Sequence, residues 1–199
     1  MRLFIVGQKW LAGEVLGGCL ARGFEVAGVA APSVEDRFAK AAQQRGIEPN
    51  VAPRRLAGDM VPDGVDLIVC AHAHCYVSRE ARARAAIGAI GYHPSLLPLH
   101  RGRDAIRWAL HMRDRVTGGT VYWMDDGADT GPIALQDWCH VRPDDDAGTI
   151  WRRELGPMGV RLLLSAIELV RDGRCPSKPQ RDDLATWEPA FAGRSLSAL

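Results

Sequence analysis

Four short apolar runs dominate the first half of the chain: RLFIVG (2–7), FEVAGVAAP (24–32), VDLIVCA (65–71) and AIGAIGYH (86–93). Each is nearly continuous in apolar residues instead of alternating, the pattern of a strand covered on both faces. The stretches between them read mostly as helices. LAGEVLGGCLARG places Leu11, Val15, Cys19 and Leu20 near helical spacing and stops at Gly23. SVEDRFAKAAQQRG offers Ser33 as N-cap, Glu35 and Asp36 in its first turn and Gly46 at its end. SREARARAA forms a short polar helix before the fourth run. Strands that alternate with covering helices predict an α/β fold: a Rossmann-like open, mostly parallel sheet with helices on both faces, in a single domain. In such a sheet ligands sit beyond the carboxyl ends of the strands.

The second half continues with a helix over RDAIRWALHMRD, strands TVYWMDD and PIALQDWCHV joined by an acidic turn, and a long helix through IWRRELGPMGVRLLLSAIELVRDG. Pro157 is expected to bend that helix. The organisation expected is a catalytic-type domain over residues 1–174 and an extended tail over 175–199 lying on or near it. A formal charge of +1 supplies no field to hold a polyanion, so nucleic acid is not an expected partner. No apolar run approaches bilayer length, and the start, RLFIVG, does not read as a leader. Five cysteines without CxxC spacing read as reduced thiols, which together predict a cytoplasmic protein with no membrane contact. Nothing in the composition excludes a homodimer.

Four stretches can carry chemistry. GQKWLAG (7–13) is a strand-to-helix turn and not a dinucleotide fingerprint, although Lys9 could meet an anion there. In AHAHC (71–75), His72 and His74 could share a strand face and hold an ion, but no third ligand has metal spacing. A pocket wall is the expectation, with no metal. DDGADTGP (125–132) is either a solvated hairpin turn or a constrained loop that aims Asp129 inward. In GYHPSLLPLHRG (91–102), Pro94 holds His93 in extended geometry where a strand ends, a mounting suited to acid–base or oxyanion chemistry.

YHPSLLPLHRG followed by GGTVYWMDDGADTG, together with VGQKWLAGEV, AIRWAL and RPDD, resembles the folate-dependent formyltransferases over nearly the whole chain. It is most like the hydrolase domain of 10-formyltetrahydrofolate dehydrogenase. The resemblance implies 10-formyltetrahydrofolate as co-substrate and no metal. It implies His93 and Asp129 as catalytic residues. Cys75, Tyr76 and Val77 would line one wall of the folate pocket, and Met124, Asp125, Asp126, Gly127 and Ala128 the other. Gly91, Lys9 and Arg101 would lie on the acceptor side. The implied activity is formyl transfer to a small-molecule amine. The alternatives are 10-formyltetrahydrofolate hydrolysis, or folate binding without catalysis.

Three departures bear on the acceptor. Transferases of this family carry an Asn where this chain has Gly91, and loss of an oxyanion donor typically costs on the order of a hundred- to a thousandfold in rate. The hydrolase domain also lacks the Asn. Gly91 is expected to open space for an acceptor or a water. From this length no tRNA-gripping or aldehyde dehydrogenase domain is expected, and Gln8-Lys9-Trp10 differs from the phosphate loop of glycinamide ribonucleotide formyltransferase.

Overall fold

The computed structural model describes residues 1–191. Its elements run β1 (Arg2–Gly7), α1 (Lys9–Ala21), β2 (Glu25–Ala31), α2 (Arg37–Gln43), β3 (Pro49–Val51), β4 (Arg55–Leu56), β5 (Leu67–Ala71), β6 (Tyr76–Val77), α3 (Arg79–Arg82) and β7 (Gly88–His93). They continue with α4 (Ala105–His111), β8 (Val116–Trp123), β9 (Ile133–His140), α5 (Ala147–Ile150) and α6 (Gly156–Arg171).

Seven strands form one sheet in the order β3-β2-β1-β5-β7-β8-β9, and β4 pairs with β6 beside it. The pairs from β3 through β7 are parallel, whereas β7–β8 and β8–β9 are antiparallel. The expected mostly parallel open sheet is therefore present, with helices on both faces. The apolar run of β1 serves both layers: Leu3 and Ile5 join the core under α1, α2 and α6, while Phe4 and Val6 join Ile68, Leu56 and Val77 on the opposite face. A strand that feeds two cores has no polar side to show, which is why its sequence does not alternate. No helix of the described residues is long and apolar enough to cross a membrane.

Several boundaries differ from expectation. Helix α2 starts at Arg37, because Asp36, not Ser33, accepts the Phe38 amide at 2.8 Å and also takes the Lys9 amide at 2.8 Å. One carboxylate thereby caps α2 and secures the start of α1. Strand β8 begins at Val116, four residues before the expected Thr120, because β9 supplies hydrogen-bond partners along that length. The long helix is disturbed before Pro157. Residues Trp151–Leu155 form a wide turn in which the Gly156 amide reaches back five residues to the Trp151 carbonyl. Proline lacks the N–H that would close the normal ladder, and it sits in the first turn of α6, where that loss costs least.

Candidate active site

The parallel strands β5 and β7 end side by side at Ala71 and His93, so the segments that follow them share one edge of the sheet. His93 is buried and pairs across the strands with Thr120 of β8. The HPSLLPLH turn closes on itself through Ser95 Oγ, which donates to the Leu99 carbonyl at 2.6 Å, and its Leu97–Pro98 peptide is cis. Thr120 Oγ1 holds the turn from below: it donates to the Ser95 carbonyl at 2.7 Å and accepts the Leu97 amide at 3.2 Å.

The His93 ring contacts the carbonyl oxygen of His100 through Nε2 at 2.7 Å. A carbonyl can only accept, so Nε2 carries the proton and Nδ1 is the nitrogen left for chemistry. Nδ1 faces Asp129 Oδ2 at 3.5 Å, an ion-pair distance longer than a direct hydrogen bond. His100 is itself held, with Nε2 2.8 Å from Asp114 and Nδ1 3.2 Å from Glu188, and its amide donates to Thr186 Oγ1 at 2.8 Å.

Asp129 lies in the β8–β9 loop with φ of 57°, the left-handed region that aspartate tolerates better than most residues. Its carboxylate points inward. Oδ1 accepts the Tyr122 hydroxyl at 2.6 Å, and Oδ2 accepts the Gly102 amide at 2.8 Å. Of the two readings left open for this loop, the inward carboxylate is the one observed.

The other two carboxylates of the loop have structural work. Asp125 Oδ1 accepts the Gly127 amide at 3.0 Å and the Thr130 hydroxyl at 2.7 Å, which shapes the turn. Asp126 pairs with both Arg79 and Arg82, and those guanidinium groups hold its carboxyl below the usual range, Arg79 most strongly. Gly127 and Ala128 are exposed, and Met124 is half-buried with its amide on the Ala89 carbonyl.

The segment after β5 is divided. Cys75 is half-buried and its thiol is pushed up by burial; Tyr76 is exposed, with the Arg55 guanidinium 5.6 Å from its ring centroid. Val77 turns its side chain into the core as a partner of Leu56, so only its backbone can meet a ligand. His72 and His74 do not share a strand face: β5 stops at Ala71 and His72 has φ of 59°. Their rings meet edge-on at 4.9 Å, and His72 also lies 5.6 Å from the Trp151 ring. Burial pushes the His72 imidazole down to about 4, helped by His74 and Lys9. Among the described residues no group of three or more His, Cys, Asp or Glu is placed to hold a metal ion.

The other two residues expected on the acceptor side differ in burial. Lys9 is exposed. Arg101 is buried and turns into the tail, where it donates to Gln180 Oε1 at 2.9 Å and Asp182 at 2.8 Å. The direction a side chain on Gly91 would take is already filled by the Tyr122 ring, with the nearest ring carbon 3.3 Å from an ideal Cβ. The space expected beside Gly91 is thus occupied. Sequence reasoning also missed Gln180, whose Nε2 donates to the carbonyls of Asp129 at 2.8 Å and Gly131 at 2.7 Å. It missed Tyr122 as well. The alternation of β8 against β7 was the one signal available for Tyr122, and it needs the register to be read.

Residues 21–167 match the family model described as formyl transferase. The chain is 36% identical over 201 residues to the mitochondrial 10-formyltetrahydrofolate dehydrogenase of Mus musculus, an alignment covering 94% of this chain and 22% of that protein. It is 40% identical over 121 residues to the methionyl-tRNA formyltransferase of Methylacidiphilum infernorum, covering 61% of this chain and 37% of that protein. The glycinamide ribonucleotide transformylase 1 structure from Symbiobacterium toebii superposes with a TM-score of 0.77, at 23% identity, over 91% of this chain and 94% of that one. That likeness speaks to the fold.

Proposed function

The chain belongs to the formyl transferase family, and on that premise we propose that it takes the formyl group of 10-formyltetrahydrofolate and passes it to water. The observation that carries this reading is the pairing of His93 Nδ1 with Asp129 Oδ2 at the sheet edge, beside a Gly91 whose side-chain space Tyr122 fills. An amine acceptor of the kind the sequence suggested needs room next to Gly91, whereas water needs almost none.

In this scheme the substrate is the folate, bound between the segment after β5 and the β8–β9 loop. Asp129 accepts a proton from water as its oxygen attacks the formyl carbon. His93, held at Nε2 by the His100 carbonyl, turns Nδ1 toward the formyl oxygen, where the developing charge is largest and a proton carried on Nδ1 would stabilise it. The bond from carbon to the folate nitrogen then breaks, the proton held by Asp129 passes to that nitrogen, and formate and tetrahydrofolate leave. Formyl transfer to a small amine is the second reading, favoured by the 40% identity to a methionyl-tRNA formyltransferase.

The deciding measurement is release of formate and tetrahydrofolate by the purified protein without any amine. Wild type should release both and Asp129→Asn should be slowed by at least about a hundredfold. Equal rates in the two would remove Asp129 from the chemistry. Folate binding with no release until an amine is added would move the assignment to the transferase reading.

A further inference from the structure

Resting on that reading of the site, we propose that Tyr122 is a positioning residue: its hydroxyl, reached over Gly91, locks the Asp129 carboxylate so that one oxygen stays turned to His93. Gly91 and Tyr122 are directly opposed in the β7–β8 register. Directly opposed residues project from the same face of a sheet, so an aromatic side chain can reach over a glycine partner. Here the phenol end of the Tyr122 ring does so. A Cβ on residue 91 would stand 3.3 and 3.4 Å from two ring carbons and 3.4 Å from the hydroxyl oxygen. The absence of a side chain at 91 is therefore what lets the phenol reach the catalytic loop.

The hydroxyl has one proton and gives it to Asp129 Oδ1 at 2.6 Å. It cannot also donate to a formyl oxygen, so its effect runs through Asp129. Oδ2 is held by the Gly102 amide at 2.8 Å, and the Asp129 carbonyl is held by Gln180 at 2.8 Å. With both oxygens and the backbone secured, the carboxylate has no second orientation. Burial keeps the phenol well above its usual titration range, with Asp129 adding to that shift, so Tyr122 stays a donor. Without the hydroxyl, Oδ1 is left short of a partner in a part-buried site, and the carboxylate gains freedom to turn away from His93.

Tyr122→Phe removes the oxygen and keeps the ring over Gly91. Its kcat for formate release should fall about tenfold while KM for 10-formyltetrahydrofolate changes less than about twofold, since a misplaced reacting group loses rate before binding. Gly91→Ala should push the ring aside by a few tenths of an ångström and lower kcat about threefold in the wild type. In the Tyr122→Phe background the same alanine should cost nothing further, because both changes act through one hydrogen bond. A merely structural role would lower stability without that split or that non-additivity. A Tyr122→Phe enzyme with wild-type kcat, or losses that simply add, would overturn the proposal.

A second readout does not depend on turnover. The folate-free protein should show a slowly exchanging hydroxyl proton resonance that is lost in Tyr122→Phe and moved in Asp129→Asn. A wild type inert toward 10-formyltetrahydrofolate would sink the proposed function alone. A hydroxyl resonance that is absent, or indifferent to Asp129→Asn, would sink the positioning role.

Discussion

Replacing Thr120 with valine should damage the mounting of His93 while leaving the volume of the core almost unchanged. Thr120 is fully buried, and its Oγ1 donates to the Ser95 carbonyl at 2.7 Å and accepts from the Leu97 amide at 3.2 Å and from Gln136 Nε2 at 2.8 Å. Valine keeps the shape and deletes the oxygen. Gln136 retains its bond to the Leu97 carbonyl at 3.0 Å, so its loss is partial. The Ser95 carbonyl and the Leu97 amide are stranded. Net loss of about 1 kcal/mol per bond, plus the cost of an unpaired buried amide, gives about 3 kcal/mol. With a urea m-value of about 2 kcal/mol/M, the denaturation midpoint should drop by about 1.5 M. Thr120→Ser supplies the control: it keeps the oxygen, loses a methyl and should cost about 1 kcal/mol. If Thr120 serves packing instead, serine is the worse substitution and valine is nearly silent. Equilibrium urea unfolding of the two variants therefore decides the matter, and a valine loss below that of serine refutes the hydrogen-bond account.

Gln180→Ala should lower kcat/KM for formate release about tenfold with little change in urea midpoint, since it frees the carbonyls of Asp129 and Gly131 at a partly exposed site; steady-state kinetics at matched folded fraction checks this. His72 predicts a pH dependence of stability. Its folded imidazole is pushed down to about 4 from an ordinary value of 6.5, so between those values the unfolded chain binds the extra proton. Its contribution is whole above pH 6.5, declines as the pH falls toward 4 and levels off below that. At about 1.4 kcal/mol per unit the window bounds the effect near 3 kcal/mol, and partial exposure reduces it to about 2. Urea unfolding at pH 7 and pH 5 should show wild type losing more than His72→Asn, a change that tolerates the left-handed backbone; equal losses would contradict the assignment.

The strands most easily read from the sequence were those whose residues are apolar for a reason internal to the strand. β1 and β5 are covered on both faces, so their letters alone announce them. β4 and β6 are two residues each and exist because Arg55 and Leu56 find Tyr76 and Val77 some twenty positions away, which no local pattern reports. The start of α2 was misread for a similar reason. Ser33 and Asp36 are both competent caps, and the choice is made by the Lys9 amide, which arrives from another element. The place of His93 at a strand end was legible because Pro94 constrains its own neighbourhood, whereas the local pattern around Asp129 left a solvated turn and an inward carboxylate both open. Tyr122 and Gln180 act through partners fixed only by register and by the path of the tail.

That division explains why a loop with three aspartates directs only one of them at the histidine. Three free carboxylates in DDGADTG would repel one another and spread their field over several orientations. Asp125 instead takes a hydroxyl and an amide of its own loop, and Asp126 is covered by two guanidinium groups from α3. Among the described residues the carboxylate that His93 pairs with is then Asp129, at one distance and from one side. Electrostatic help to a reacting group works only when the charge is aimed beforehand, because an unaimed one must be reorganised during the reaction. In the proposed mechanism Asp125 and Asp126 would therefore contribute through the shape of the loop. Neutralising Asp126 as asparagine should loosen the Arg79–Arg82 clasp and raise KM for the folate, with a smaller change in kcat than at Asp129. Steady-state kinetics of Asp126→Asn beside Asp129→Asn tests this, and a kcat loss as deep as that of Asp129→Asn would mean that both carboxylates face the reaction.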